Sequence, residues 1–167
     1  MHPVIRSGLS RRQLIARLAL GSVAALYGRV VHAAQPRINT LKNSFFASRT
    51  DTAINGYDTV AYFTQGKPVK GLDSLVVDWM GAKWKFSTQA NLELFKAKPE
   101  QYAPQYGGYC AYGVAQGYLV KVEPEQFTVR EGKLYLNYDA DVQSKWLKDP
   151  EGFNREADKK FEALLKQ

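Results

Sequence analysis

The sequence predicts a small α+β domain, because paired strands, short capped helices and an amphipathic C-terminal helix follow one another along it. Two β-hairpins are predicted, at residues 74–86 and 127–138. In the first, an apolar stretch precedes Met80-Gly81-Ala82 and polar and aromatic residues alternate after it; in the second, residues 133–138 alternate with period two after Glu131-Gly132. The sequence contains no strand–helix–strand pattern and no phosphate-binding glycine loop. At 167 residues the chain is long enough for one domain with its own core.

Capping residues mark where the helices begin. Ser87 or Thr88 is predicted to cap a helix after the first hairpin, and Asp149 followed by Pro150 predicts the start of the last one. The last helix has an apolar stripe at helical spacing, formed by Phe153, Ala157, Phe161, Leu164 and Leu165. We expect this stripe to pack the C-terminal helix on the sheet.

The first 34 residues resemble an export signal. Arg11 and Arg12 precede an apolar run at residues 14–26, and Ala33-Ala34 suits a cleavage site. Paired arginines in this position predict a twin-arginine-type signal, with the twin-arginine translocase as partner and a periplasmic or otherwise exported mature protein. The alternative is an ordinary secretion signal that happens to contain Arg-Arg. The apolar run is too short for a stable membrane anchor.

The rest of the chain divides into a linker and a domain. Residues 35–53 are polar and basic and are predicted to form a linker that docks late, and residues 54–167 are predicted to form the folded domain. The leader contains five of the 23 Lys and Arg residues and no acid, so the remainder carries 18 basic and 16 acidic residues. The net charge of +7 therefore belongs mostly to the leader, and we expect no nucleic-acid partner.

Two residue types limit the chemistry. Both histidines, His2 and His32, lie in the leader, so the mature domain lacks the usual general base and the commonest metal ligand. Cys110 is the only cysteine, so no disulfide can form within the chain. These absences favour a non-enzymatic protein in which Cys110 is the one reactive centre.

Cys110 lies in a glycine-framed stretch, residues 107–117, and three hypotheses follow from it. In the first, Cys110 holds a soft metal ion such as copper or lines a small-ligand pocket with Asp58, Tyr62, Tyr109 and Tyr112. A homodimer would double the number of ligands, and an unidentified protein partner is the other interaction considered. In the second, the thiol is a redox sensor or mixed-disulfide partner, with a pKa lowered by a helix start. In the third, it is buried and inert in a structural or protein-interaction domain. For Asp58 alone, helix capping is favoured over a ligand role.

Several segments resemble the YHS domain family, and more closely its exported members. The segments that carry the resemblance are Gly56–Phe63, Gly81–Ser87, Asn91–Phe95, Lys98–Tyr102, Gly107–Gly113, Lys133–Tyr138 and Trp146–Pro150. The resemblance implies a soft-metal site of three cysteines, two of them in a Cys-x-x-x-Cys pair. The matching positions here hold Ala61, Ser87 and Asn91, so metal binding cannot be carried over to this chain.

Overall fold

A computed structural model describes residues 35–41 and 49–167, and over these residues the predicted α+β fold is confirmed. The helices are α1 (Ala61–Thr64), α2 (Gln89–Ala97), α3 (Pro99–Tyr102), α4 (Ala111–Gln116), α5 (Ala140–Trp146) and α6 (Pro150–Leu164). The strands are β1 (Leu72–Trp79), β2 (Ala82–Phe86), β3 (Glu123–Arg130) and β4 (Lys133–Asn137). Two 3₁₀ turns lie at Ala53–Gly56 and Gln105–Gly108. The predicted export signal, with Arg11 and Arg12, lies outside the described residues.

Each hairpin forms its own two-stranded antiparallel sheet, β1 with β2 and β3 with β4. The turn residues Met80, Gly81, Glu131 and Gly132 all have positive φ, from +49° to +78°. Such turns match the right-handed twist of paired strands, which confirms both predicted hairpins. The strands β1 and β3 begin earlier than predicted because each contains an irregularity in its register, and the apolar alternation is broken there.

The helices begin at the predicted caps. Thr88 accepts a hydrogen bond from the backbone N–H of Asn91, and Asp149 accepts one from Gly152 at 2.9 Å. The apolar stripe of α6 packs against α4 and shares a buried cluster with Tyr135 of β4. The C-terminal helix therefore packs on the sheet as predicted. Within residues 35–41 and 49–167, no helix has the length and hydrophobicity that crossing a bilayer requires.

Strand β4 lies between two hydrophobic clusters. Leu134 and Leu136 belong to a cluster with Trp84, Phe86 and Phe95 of the first hairpin and α2. Tyr135 lies in the second cluster, with Trp146 and the buried face of α6. Because side chains alternate across a strand, membership of the two clusters means that β4 is buried on both faces.

Residues 35–41, hereafter the N-terminal strap, lie against the domain. Ile38, Asn39 and Thr40 are buried, although this segment is part of the predicted linker. The backbone N–H of Asn39 donates to the Gly107 carbonyl at 2.8 Å, and its side-chain amide donates to the Gly108 carbonyl at 2.9 Å. The strap is thus hydrogen-bonded to the glycines that precede Cys110.

Candidate functional site

Asp58 is fully buried and accepts five hydrogen bonds. Its Oδ1 accepts from the backbone N–H groups of Val60 (2.9 Å) and Ala61 (3.2 Å) at the start of α1, as a capping residue does. Its Oδ2 accepts from the Ser87 N–H (2.8 Å), the Ser87 hydroxyl (2.6 Å) and the Asn91 amide (2.7 Å). The carboxylate therefore ties together α1, the end of β2 and α2.

The three positions at which the resemblance to the YHS family implies cysteines converge on this carboxylate. Ala61, Ser87 and Asn91 each donate to Asp58, so they surround one point although they are far apart in sequence. The Ala61 side chain is a methyl group and offers a metal ion no ligand atom, and the Ser87 hydroxyl and Asn91 amide are hard groups that already donate to Asp58. These residues do not fit a soft metal ion. The anion holds the three segments together through its hydrogen bonds.

Cys110 lies at the start of α4, and its side chain is fully buried. Its sulfur accepts a hydrogen bond from the Gly113 N–H at 3.3 Å. Its thiol donates to Asn137 Oδ1 at 3.7 Å, and the Tyr112 N–H donates to the same oxygen at 3.4 Å. The Tyr112 donor fixes the orientation of the Asn137 amide, so the sulfur faces an acceptor. This arrangement suits the neutral thiol.

Burial is the largest influence on this thiol and raises its pKa. The backbone N–H groups of Gly113, Tyr138 and Tyr112 act in the opposite direction, but they do not outweigh the loss of hydration. Burial therefore outweighs the lowering of the Cys110 pKa that is expected at the start of a helix. A thiolate is the nucleophilic form of cysteine, so burial holds Cys110 in its unreactive form at neutral pH.

An apolar cavity of about 240 Å³ adjoins Cys110. Its other lining residues are Tyr112, Gly113, Gln116, Tyr118, Val120, Tyr138 and Val142. Tyr118 is 65% exposed and Tyr138 is 37% exposed, so two aromatic rings lie where the cavity meets solvent. This cavity, hereafter the thiol cavity, can hold an apolar group but offers a charged ligand no ionic partner in its lining.

The structure separates most of the residues predicted to share a pocket with Cys110. Tyr112 lines the thiol cavity, where its ring contacts Phe153 at 5.0 Å between centroids. The Tyr62 hydroxyl donates instead to the Pro124 carbonyl at 3.0 Å, and the Tyr109 hydroxyl donates to the Pro36 carbonyl of the strap at 2.9 Å. Asp58 is bonded within its own network. In the part of the chain that the structure describes, no group of three or more His, Cys, Asp or Glu residues could hold a metal ion.

Sequence reasoning missed Asn137, Tyr118 and Tyr138. Asn137 is fully buried, and its Nδ2 has no hydrogen-bond partner among the described residues. One signal was present, because asparagine is depleted in strands and Asn137 follows three buried residues of β4. Tyr118 follows the end of α4, where its N–H donates to the Gly113 carbonyl, whereas Tyr138 comes from the end of the second hairpin, so local pattern could not bring Tyr138 to this cavity.

The comparison with protein families concerns the segment before Cys110. A model of the YHS domain matches residues 60–106. The match supports the resemblance to the YHS family over α1, the first hairpin, α2 and α3. Cys110 and the second hairpin lie outside the matched residues. Searches of curated proteins and of solved structures found no significant match.

We expect stability to fall at alkaline pH. Burial raises the pKa of Cys110 and the pKa of Tyr62, so both groups hold their protons more tightly in the folded chain than in the unfolded chain. The stability that each raised pKa contributes is complete below the ordinary pKa of the group. It is lost progressively as the pH rises above that value, beginning near pH ~9 for the thiol and near pH ~10 for the phenol. Urea unfolding from pH 7 to 11 measures this loss.

Tyr62→Phe isolates the phenol. A tyrosine that ionises only in the unfolded chain lowers the free energy of unfolding by about 1.4 kcal/mol per pH unit above its ordinary pKa. The variant should therefore show a shallower decline above pH ~10. Tyr118→Phe, at a 65% exposed position, is the control and should keep the wild-type slope. Equal slopes for wild type and Tyr62→Phe would contradict the expectation.

Proposed function

We propose that the protein is an exported, non-enzymatic binding module that holds a small apolar or aromatic ligand in the thiol cavity. The observation that carries the proposal is the lining, in which aromatic and aliphatic side chains surround about 240 Å³ beside the only cysteine. Exposed Tyr118 gives an entering ring a stacking partner, whereas the Lys121 ammonium lies 4.2 Å from the centroid of the Tyr138 ring and covers one of its faces. Apolar pockets with few polar groups are the usual form of small-ligand sites.

The environment of Cys110 supports a role in the cavity wall. A redox-sensing thiol is normally accessible and has a low pKa, whereas Cys110 is fully buried and burial raises its pKa. Soft-metal binding has less support, because Met80, the other soft donor of residues 35–167, lines a different groove from Cys110. Within the proposal, Cys110 is a small neutral side chain packed in the wall of the cavity.

Ligand-observed NMR with indole as the probe tests this function. Saturation-transfer signals should appear with the full chain and should disappear for Val142→Phe, because the larger ring fills the cavity from α5. Val129→Phe is the control, since Val129 is 39% exposed on β3 and outside the cavity lining. Signals of equal strength in both variants, or no signal with wild type, would overturn the proposal.

Two experiments on the same protein preparation test the redox and soft-metal hypotheses for Cys110. Thiol titration should be at least about a hundredfold slower for the folded chain than for the chain in urea, because reaction requires the protein to open. Fast reaction of the Cys110 thiol in the folded state would favour the redox-sensor hypothesis. Metal analysis should find equal and negligible copper in wild type and in Cys110→Ser. Copper that is present in wild type and absent from Cys110→Ser would favour the soft-metal hypothesis.

The proposal that the protein is exported rests on the sequence of its first 34 residues. Arg11-Arg12 before an apolar run supports passage through the twin-arginine translocase, which transports folded proteins. Changing both arginines to lysine should leave the protein on the cytoplasmic side in a fractionation experiment. Unchanged secretion of this variant would favour the ordinary secretion signal instead.

A further inference from the structure

A second cavity, of about 350 Å³, lies between the N-terminal strap, the β1–β2 turn and α6. We call it the strap groove, and it shares no lining residue with the thiol cavity. Three aromatic side chains contribute to its lining: Trp79, Tyr106 and Phe161. Because aromatic faces carry negative electrostatic potential, such a lining attracts cations as well as apolar groups.

The groove already holds one organic cation, which belongs to the chain itself. The Arg37 guanidinium lies 5.6 Å from the centroid of the Phe161 ring, and its Nη2 lies 2.7 Å from Glu162 Oε1. An aromatic face and a carboxylate thus bind a guanidinium within the strap groove. The Arg37 and Glu162 side chains are 46% and 59% exposed, so this combination of aromatic face and carboxylate is open to solvent.

Two further carboxylates in the groove have no such partner among residues 35–41 and 49–167. Neither Glu100 nor Asp158 forms an ion pair with a lysine or arginine of the described segments. The Tyr106 hydroxyl donates to Asp158 Oδ1 at 3.0 Å, which positions this carboxylate beside an aromatic wall. The groove therefore repeats the combination that binds Arg37, with negative charge that Arg37 does not neutralise.

We infer that the strap groove binds a compact organic cation, a guanidinium or ammonium group on an apolar stem, between its aromatic side chains and the carboxylates of Glu100 and Asp158. The cation is either a free small molecule or a Lys or Arg side chain of a partner. This site is independent of the ligand proposed for the thiol cavity.

Tryptophan fluorescence of the full chain provides the readout. Trp79 lines the groove, whereas Trp84 and Trp146 are fully buried and do not line it, although the centroid of the Trp84 ring lies 5.6 Å from that of Trp79. Butylguanidinium should produce a saturable fluorescence change that weakens as salt is added. Butylurea has nearly the same shape without the charge and should produce none at equal concentration. A similar response to both compounds, or no saturable response, would overturn the inference.

Acidic residues inside and outside the strap groove can be neutralised separately, which gives matched variants of equal net charge. Glu100→Gln and Asp158→Asn should each weaken butylguanidinium binding about two- to fivefold, because each removes one partly solvated charge and retains a similar shape. Asp141→Asn changes an exposed acid outside the groove and should leave affinity unchanged. An equal loss in Asp141→Asn would mean that net charge alone attracts the probe, which contradicts a specific site.

A substitution of Arg37 should not weaken butylguanidinium binding, in contrast to the substitutions of the two acids. Arg37→Met removes the resident cation, so butylguanidinium should bind at least as tightly as to wild type; weaker binding would contradict the inference. The source of the natural cation is then distinguished with N-acetyl-Gly-Arg-Gly-amide. Tighter binding of this peptide than of butylguanidinium assigns a partner's side chain, and equal or weaker binding assigns a free small cation.

Discussion

Gly107→Ala is expected to lower the free energy of unfolding by about 3 kcal/mol or more. A Cβ at this position would lie 1.8 Å from the Arg37 carbonyl oxygen and 3.3 Å from the Ile38 Cα, and Gly107 has a φ of +61°. The nearest atoms are backbone, so no side-chain rotation relieves the overlap. The strap must move away, which breaks the Asn39–Gly107 hydrogen bond and exposes Ile38. Urea unfolding at neutral pH measures the loss.

Gly66→Ala separates the overlap from backbone strain. Gly66 has nearly the same φ, +63°, but no atom of the described residues lies within 4 Å of the place that a Cβ would take there. Its substitution should cost only the left-handed strain, about 1 to 2 kcal/mol. Losses of equal size in the two variants would show that strap contact contributes nothing to the requirement for glycine at position 107.

The elements that local sequence determines were predictable. Turn residues at Met80-Gly81 and Glu131-Gly132 and caps at Thr88 and Asp149 act within a few residues of the chain, so their patterns identify hairpins and helix starts. The stripe on α6 predicted burial for the same reason. These features define the fold class without information about distant contacts.

The surroundings of the site depend on contacts between distant segments. Asn137 reaches Cys110 across 27 residues of sequence, and Asn39 reaches Gly108 across 69. The glycines at 107 and 108 could indicate reactive chemistry or close packing, and their position under the strap explains them by packing. Burial of β4 on both faces also requires α6 and the first hairpin together, so its alternation identifies a strand without showing what covers each face.

Asp58→Ala is expected to cost about 3 to 5 kcal/mol of unfolding free energy. The substitution leaves five donors without their acceptor in a fully buried place, and these donors belong to three separate segments. Asp139→Ala is the matched control. Asp139 caps α5 through the Val142 N–H at 2.8 Å, so its loss should cost only about 1 kcal/mol. Chemical unfolding of both variants gives the comparison.

Asp58→Asn tests whether the negative carboxylate, and not its shape alone, is required. In either orientation of the new amide, its NH₂ group faces at least two donors: Val60 and Ala61 on one side, or Ser87 and Asn91 on the other. We therefore expect a loss of about 2 to 4 kcal/mol despite the nearly identical volume. Asp58→Ala and Ser87→Ala both remove the hydrogen bond from the Ser87 hydroxyl to Asp58, so the double variant should lose less stability than the sum of the two single losses. A nearly neutral Asp58→Asn would mean that the three segments are held by packing, and that Asp58 acts only as the cap of α1.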